Sequence, residues 1–206
     1  MSEKIFGLNQ DRVDKLFQND HSNKRPFITD IAEDIYQHTQ SLEKAVFRDS
    51  LTGCYNKNAW EDFQKHFDLN RGDKATILIF DLNGLKDVND TLGHLAGDNY
   101  IKNTATYIQE VFSRKGDKVY RFGGDELAIV VPYLKENQRE EFKTFVQSFF
   151  NHEVLSQKGL DFAYGIAHTD AQKDSSIKDT IQRADSAMYQ NKTEWKTKHP
   201  EKYSRK

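Results

Sequence analysis

Residues 118–132 read KVYRFGGDELAIVVP, two apolar runs divided by two glycines and two acids. The runs Lys118–Phe122 and Leu127–Pro132 have the length and the β-branched content of strands. A Gly-Gly pair supplies the positive φ angles that a tight hairpin turn needs. The stretch therefore predicts an antiparallel β-hairpin that presents Asp125 and Glu126 next to its turn.

A third strand is predicted upstream, where Ala75–Asp81 reads ATILIFD and is apolar on both faces until its last residue. If this strand neighbours the hairpin, Asp81 and Asp125 converge at one edge of the sheet, with Glu126 beside them. Two or three carboxylates make a hard-oxygen site of the kind that suits Mg²⁺. Two such ions can hold the attacking and leaving oxygens of a displacement at phosphorus. Any one of these acids alone would be interpreted as a turn or capping residue.

Apolar periodicity predicts helices around these strands, over Lys57–Phe67, Gly84–Thr91, Asp98–Phe112, Glu136–Phe150 and Ser176–Trp195. A fourth strand is predicted over Leu160–His168. Elements in this order indicate an α+β fold, with a central antiparallel hairpin in a mixed sheet flanked by helices. Lys86, Lys192 and Lys196 lie on or near the helices, from which they can reach the carboxylates and neutralise a triphosphate.

The bulk composition excludes several classes of partner. With 206 residues the chain has room for one compact domain and a modest appendage. Its 30 basic and 32 acidic residues nearly balance, so no general attraction to nucleic acid or to an anionic membrane is expected. Cys54 is the single cysteine, which rules out an intramolecular disulfide. The opening residues lack the apolar run of a signal peptide, and no stretch is long enough for a membrane span, so we expect a cytoplasmic protein.

Residues 1–48 have a different pattern from the rest. A short amphipathic piece near Asp11–Phe17 is followed by a helix that can start at Thr29 or Asp30. Its apolar residues are spaced by three and four, as in a coiled-coil seam: Ile28, Ile31, Ile35, Leu42 and Ala45. This helix either packs on its own domain or forms a dimerising stalk, and the sequence leaves both interpretations open. We expect residues 49–206 to form the catalytic domain.

Five stretches of the chain together resemble the GGDEF family of diguanylate cyclases. They follow the order of the family's motifs: residues 49–56 (DSLTGCYN), 81–98 (DLNGLKDVNDTLGHLAGD), 121–127 (RFGGDEL), 162–167 (FAYGIA) and 184–192 (ADSAMYQNK). A lone GGDE would be a weak signal, but five motifs in order make coincidence remote. The resemblance runs from Asp49 to about Lys196.

The resemblance implies a fold and a reaction. The fold would be the palm-like α+β domain shared in outline with nucleotidyl cyclases and some polymerases, here preceded by an N-terminal helical segment. The reaction would condense two GTP into cyclic di-GMP plus pyrophosphate. Each domain would hold one GTP, so a homodimer is needed for each 3′-hydroxyl to attack the α-phosphate of the other nucleotide.

The resemblance also implies a metal centre of two Mg²⁺ or Mn²⁺ ions per active site. Asp81 and Asp125 would be the metal ligands, and the backbone carbonyl of Leu82 would complete the site. Glu126 would assist metal binding or deprotonate the attacking 3′-hydroxyl. Lys86 belongs to the same catalytic group and would hold phosphate.

For the nucleotide, the resemblance implies that Asn89 and Asp98 read guanine, with Asp98 accepting from the ring N–H and the exocyclic amine. Gly123 and Gly124 would let the GTP approach the backbone closely. The substrate-binding set is completed by Leu85, His94, Lys192 and Lys196, of which Lys192 would share the β- and γ-phosphates with Lys86.

A second resemblance lies just before the hairpin, where Arg114 and Asp117 have the R-x-x-D spacing of the family's inhibitory product site. An arginine can pair with a guanine edge or a phosphate through two parallel hydrogen bonds, which lysine cannot do. Lys-Gly-Asp is also ordinary turn composition after a helix. We favour feedback inhibition by cyclic di-GMP, with a plain turn as the alternative.

The chain departs from the family pattern at several positions. Asn83 stands where the family often has a second Asp, which removes one negative charge near the metals. Leu127 replaces a Phe. Lys196 and Lys57 replace arginines, and a lysine cannot form the two parallel hydrogen bonds of a guanidinium. Gly84-Leu85 replaces a small or polar residue plus Phe. Because no primary ligand is lost, we expect activity, and the sequence leaves open whether these departures weaken it.

Three other functions compete with this hypothesis. A catalytically weak or silent domain could bind GTP or cyclic di-GMP and signal through contacts. A cyclase with relaxed base choice is disfavoured because Asp98 is retained. A purely structural module would not bring carboxylates, lysines and glycines together.

Overall fold

The computed structural model describes residues 25–132 and 134–198. The amphipathic piece predicted near Asp11–Phe17 lies outside these residues. The chain divides into two compact units, Met1–Ala45 and Val46–Lys206. In the part that the structure describes, no helix is both long enough and apolar enough to cross a membrane.

Helix α1, Arg25–Phe47, is the predicted N-terminal helix. Its described part already includes residues 25–28, ahead of the predicted starts at Thr29 and Asp30, so the helical backbone extends through Pro26. Ile35 and Leu42, two residues of the predicted seam, are 57% and 56% exposed.

The four strands pair into one sheet: β1 is Ala75–Leu82, β2 is Lys118–Arg121, β3 is Glu126–Pro132 and β4 is Phe162–His168. Their order across the sheet is β2-β3-β1-β4, and every pairing among them is antiparallel. The α+β class and the hairpin are therefore confirmed. A mixed sheet, with parallel as well as antiparallel pairing, was expected. Among the described residues, parallel pairing is limited to an isolated bridge between Tyr55 and Tyr120.

Six further helices flank the sheet: α2 is Lys57–His66, α3 is Leu85–Leu92, α4 is His94–Val111, α5 is Arg139–Phe149, α6 is His152–Gln157 and α7 is Ile177–Lys198. Two short 3-10 turns, Leu69–Arg71 and Glu136–Gln138, complete the described elements. The single helix predicted over Glu136–Phe150 begins as a 3-10 turn and is followed by α6. Asn151 starts that extra helix, since its side chain accepts from the N–H of Val154 at 3.0 Å.

The sheet is buried on both faces, which explains why β1 is apolar throughout. On one face Phe80 packs in a cluster with residues of α4 and α5, among them Ile108 and Val146. On the other face Ile79 belongs to a cluster that contains Trp60 of α2 and Met188 of α7. Burial on both faces fixes the register of β1, because a slip of one residue would exchange its two sets of side chains.

Gly165 of β4 sets how closely α7 lies on the sheet. A Cβ at this position would collide with the backbone of Ala184 and Met188. Only glycine allows this approach, and β1 is the strand next to β4. Lys192, one helical turn beyond Met188, is thereby brought to the end of β1.

Candidate functional site

Three carboxylates meet where β1 ends and β3 begins. Asp81 lies opposite Glu126 in the β1–β3 register. The N–H of Leu82 donates to the carbonyl oxygen of Asp125 at 3.1 Å. The two strands are thus neighbours, the condition on which the predicted convergence of Asp81 and Asp125 depended.

Lys192 pairs with this cluster. Its Nζ lies 2.5 Å from Oδ1 of Asp81, and the two side chains are only 23% and 16% exposed. A cavity of about 550 Å³ opens beside the pair and is lined by Asp81, Met188, Tyr189, Lys192, Thr193, Lys196 and Thr197. Lys196, one turn further along α7, therefore lines the same cavity as Lys192.

The pKa of Glu126 is raised above the usual value for a glutamate. Partial loss of solvent around its carboxyl is the first cause, followed by the negative charges of Asp125, Asp81 and Asp185, while Lys192 acts in the opposite direction. A carboxylate with a raised pKa is a stronger base than an ordinary one. Concentrated negative charge is also what a divalent cation offsets.

The donor set fits a hard divalent cation that keeps part of its water shell. Asp81 and Asp125 supply carboxylate oxygens, and Mg²⁺ commonly takes one or two carboxylates and fills its shell with water and phosphate oxygens. Among the described residues, no group of three or more His, Cys, Asp or Glu side chains is placed so that it could hold a metal ion. The carboxylate of Asp81 is instead paired with the ammonium of Lys192.

The turn between β2 and β3 corrects one prediction. Neither Gly123 nor Gly124 has a positive φ. The prediction was wrong because the loop spans four residues, 122–125, and is closed by the N–H of Phe122 donating to the carbonyl of Glu126 at 3.2 Å. Two-residue hairpins are the ones that need positive φ angles.

The two glycines differ in the space around them. A Cβ at Gly123 would collide with the Glu126 carboxylate, so the missing side chain lets that carboxylate fold over the turn. A Cβ at Gly124 would meet no atom of the described structure within 4 Å. The space beside the backbone of Gly124 is therefore not filled by any described neighbour.

Arg121 and Asp49 hold the turn in place, a role that sequence reasoning missed. Nη1 of Arg121 lies 3.1 Å from each carboxylate oxygen of Asp49, and Nη2 donates to the carbonyl of Gly124 at 2.9 Å. Asp49 also accepts from the N–H and the hydroxyl of Thr52. Burial by itself raises the pKa of Asp49, but the hydrogen bonds from Thr52 and Arg121 outweigh it and leave that pKa below the usual value.

The signal for this pair was present in the sequence. Asp49 opens the first family-like motif and Arg121 opens the GGDE motif, yet 72 residues separate them. Only their meeting in space gives either residue a function at the turn.

Asn89 and Asp98 lie on two helices that meet at a sharp corner. Gly93 separates α3 from α4 with a φ of 84°, in the left-handed region that glycine adopts readily. A Cβ at Gly97 would collide with the amide of Asn89. Asn89 thus packs on α4 at Gly97. The next residue of α4 is Asp98, which is exposed. The structure brings these two predicted base-reading residues together.

The remaining predicted residues lie at the starts of the same helices. Leu85 and Lys86 open α3 and His94 opens α4, with Lys86 and His94 exposed. Within residues 25–132 and 134–198, no hydrogen bond joins Lys86 or His94 to the carboxylate cluster.

Arg114 and Asp117 form a local turn before β2. Nε of Arg114 lies 3.2 Å from Oδ2 of Asp117, whose side chain is only 2% exposed, and the N–H of Asp117 donates to the carbonyl of Arg114. Gly116 adopts a φ of 102° between them. Arg114 itself is exposed and its guanidinium carbon lies 5.5 Å from the Phe142 ring centroid. These contacts show the turn, and product binding there stays a prediction.

Comparison with known proteins gives the family. The model described as "Diguanylate cyclase, GGDEF domain" matches residues 46–198. The chain belongs to the GGDEF family, as the five motifs predicted.

Two curated relatives illustrate the similarity. The chain is 31% identical over 167 residues to "Probable diguanylate cyclase DgcC" of Escherichia coli K12, which covers 78% of this chain and 44% of the relative. It is 26% identical over 158 residues to "Diguanylate cyclase VdcA" of Vibrio cholerae, which covers 73% and 45%. The chain thus spans less than half the length of these relatives.

Solved structures agree on the fold. The coiled coil and GGDEF domain of DgcB from Caulobacter crescentus, in complex with c-di-GMP, superposes with a TM-score of 0.67 at 23% identity, covering 82% of this chain and 93% of that one. The isolated GGDEF domain of the same protein gives 0.61 at 25% identity, covering 71% and 90%.

Proposed function

We propose that this chain is a diguanylate cyclase that condenses two GTP into cyclic di-GMP with release of pyrophosphate. The observation that carries the proposal is the cluster of Asp81, Asp125 and Glu126 beside the cavity lined by Lys192 and Lys196. Relatives named as diguanylate cyclases support it.

In this proposal Asp81, Asp125 and the Leu82 carbonyl hold two Mg²⁺ or Mn²⁺ ions. The bound ions would polarise the α-phosphate and neutralise the departing pyrophosphate. Glu126, with its raised pKa, accepts the proton of the attacking 3′-hydroxyl. Lys192, now paired with Asp81, would hold the β- and γ-phosphates together with Lys86 and Lys196.

Base selection follows from the corner between α3 and α4. Asp98 can only accept hydrogen bonds, and guanine offers it a ring N–H and an exocyclic amine on one edge. Adenine presents no such pair of donors, so a carboxylate facing it would stay partly unpaired. Asn89, held against Gly97, supplies the second contact.

The stoichiometry requires two chains. One site holds one GTP, so each 3′-hydroxyl must reach the α-phosphate of a second domain. We propose that residues 1–48 bring two copies of residues 49–206 together through the seam of which Ile35 and Leu42 are exposed members. The DgcB structure comprises a coiled coil and a GGDEF domain, which supports this arrangement. A cytoplasmic location would give access to GTP.

The test is turnover of GTP by the purified protein with Mg²⁺, with Mn²⁺ and with a chelator, followed by chromatography of the product. We expect cyclic di-GMP only when a divalent metal is present. Asp125→Ala should lose at least about a thousandfold in turnover, since a metal ligand and its charge are removed.

Asp87→Ala is the matched control, because it removes an exposed acid of α3 outside the carboxylate cluster. It should retain parental turnover and the parental melting temperature. An active Asp125→Ala variant, or parental product formation in the chelator, would refute the metal assignment.

One observation favours a second candidate function, a catalytically silent domain that binds GTP or cyclic di-GMP. Asp81 is already neutralised by Lys192, which competes with metal binding. In that case calorimetry would detect nucleotide binding, while no product would form at any metal concentration.

A further inference from the structure

The segment that follows the proposed metal strand is tied to the residue before β4. Asn83 is only 6% exposed. Its Nδ2 donates to Oδ1 of Asp161 at 2.9 Å, and its backbone N–H donates to the carbonyl of Asp161 at 2.9 Å. Side chain and backbone of Asn83 are therefore both held by one residue, 78 positions along the chain.

Tyr100 joins the same contact from α4. Its hydroxyl accepts the N–H of Asp161 at 3.0 Å and lies 3.1 Å from the carbonyl oxygen of Asn83 and 2.5 Å from that of Asp161. A hydroxyl has one proton, so the two carbonyls share it. Tyr100 thus links the loop after β1 to the residue before β4, and it does so two residues beyond Asp98.

The amide of Asn83 is oriented by the charge of Asp161. Turning the amide over would bring its oxygen against the carboxylate, so the nitrogen must face Asp161. The Oδ1 atom of Asn83 is consequently buried without a hydrogen-bond partner among the described residues. Leaving a buried acceptor unpaired has a cost, and the bond to a carboxylate outweighs it.

We propose that Asn83, Asp161 and Tyr100 form a positioning unit for the site, and that Asn83 is the residue that Asp161 requires. This inference rests on the proposed function for its catalytic consequence only. An aspartate at position 83 would place two carboxylates about 3 Å apart in a half-buried position, where ionising both at once is costly. Asn83 is therefore matched to Asp161, and is not simply a lost metal-site charge.

The unit acts on the chemistry through the backbone. Asn83 directly follows Leu82, whose carbonyl is a proposed metal ligand, and precedes Gly84, the left-handed residue from which α3 begins. A shift at Asn83 would move the Leu82 carbonyl and the start of α3 together. Asn83 contacts neither base nor phosphate in this proposal, so its effect should appear in metal dependence.

The test is a reciprocal exchange measured by thermal unfolding of the full chain. Asn83→Asp should lower the melting temperature by about 5 °C or more, because it brings two carboxylates face to face in a half-buried position. Asp161→Asn should cost little, since two amides can still share one hydrogen bond. The double variant N83D/D161N restores one amide and one carboxylate, and should recover to within about 2 °C of the parent.

Asn191→Asp is the matched control, because it is the same amide-to-carboxylate change at an exposed position. Asn191 lines the same cavity as Asn83 and Asp161. It should leave the melting temperature unchanged. A parental melting temperature for N83D, or a double variant no better than N83D, would overturn the proposal. If N83D does not fold, a folded double variant supports the proposal and an unfolded one overturns it.

The functional arm compares metal dependence with nucleotide choice. N83D should raise the Mg²⁺ concentration for half-maximal turnover at least about fivefold and leave the preference for GTP over ATP unchanged, and the double variant should reverse the change. Rescue by a charge exchange is not expected of a purely space-filling residue. If the parent forms no product, the unfolding series still decides the pairing, so failure of the proposed function and failure of this inference are distinguishable.

Discussion

Strand β2 has a turn at each end, and the two turns are held in different ways. The turn before it is closed by its own residues, Arg114 and Asp117, three positions apart. The turn after it is held from outside, because Arg121 links the Gly124 carbonyl to Asp49. A self-contained turn needs no functional explanation, whereas a turn held by a distant residue has its geometry imposed by the fold. We therefore expect that the shape of the second turn, more than that of the first, matters for the proposed chemistry.

The largest expected effect comes from breaking the outside support. Arg121→Ala leaves Asp49 and the Gly124 carbonyl without their cationic partner, and hydrogen bonds to charged groups contribute about 1.5–3 kcal/mol each. We expect about a hundredfold loss of cyclic di-GMP formation, measured as initial rates, from a protein that still folds.

Arg114→Ala is the control at the other turn, since it too removes an arginine paired with an aspartate. Its initial rate should stay within about twofold of the parent. Equal losses in both variants would erase the distinction between the two turns.

The next prediction concerns ligand binding at the self-contained turn before β2. We propose that cyclic di-GMP binds at Arg114 and Asp117, where Arg114 is the exposed partner. Arg114→Ala should then weaken product inhibition at least about tenfold in progress curves with added cyclic di-GMP. Arg114→Lys should be nearly as insensitive, because lysine lacks the planar fork. Equal inhibition of parent and both variants would leave these residues as a turn and nothing more.

The smallest effect concerns the pH dependence of stability. The pKa of Asp49 is lower in the folded chain than the ordinary value for an aspartate, because hydrogen bonds from Thr52 and Arg121 outweigh the effect of burial. A carboxylate with a depressed folded pKa stabilises the fold above its unfolded pKa, and that stabilisation is lost as the pH falls through the folded pKa. Asp49→Asn should therefore be less stable than the parent by about 1 kcal/mol at neutral pH, with the difference shrinking below about pH 4.

The measurement is denaturant unfolding of parent and variant at several pH values. Asp87→Asn is the comparison variant, because it removes an exposed carboxylate of α3. A difference between the parent and Asp49→Asn that stays constant down to the lowest pH would show that the Arg121 pair does not depend on the charge of Asp49.

Much of the fold could be predicted because its signals are local. The apolar run Ala75–Asp81 and the apolar periodicity of α2 and α7 act within a few residues, and each of these elements appeared where expected to within a few positions. The errors arose where neighbours decided the outcome. The loop of residues 122–125 is longer than a two-residue hairpin, so neither of its glycines has a positive φ, and only at Gly123 would a Cβ collide with a neighbour, the Glu126 carboxylate.

The sequence by itself determined the secondary structure, the family and the residue types available for chemistry, because these depend on composition and short-range spacing. Only the tertiary structure decided which charged and polar groups meet. Three pairs are examples: Arg121 pairs with Asp49, Asn83 with Asp161 and Lys192 with Asp81, and the partners are 72, 78 and 111 positions apart. Many acids and bases of the chain could have paired with each of them. Tertiary packing selects which of these groups pair. One example is the close approach of α7 to the sheet at Gly165, which cannot be predicted from the local sequence.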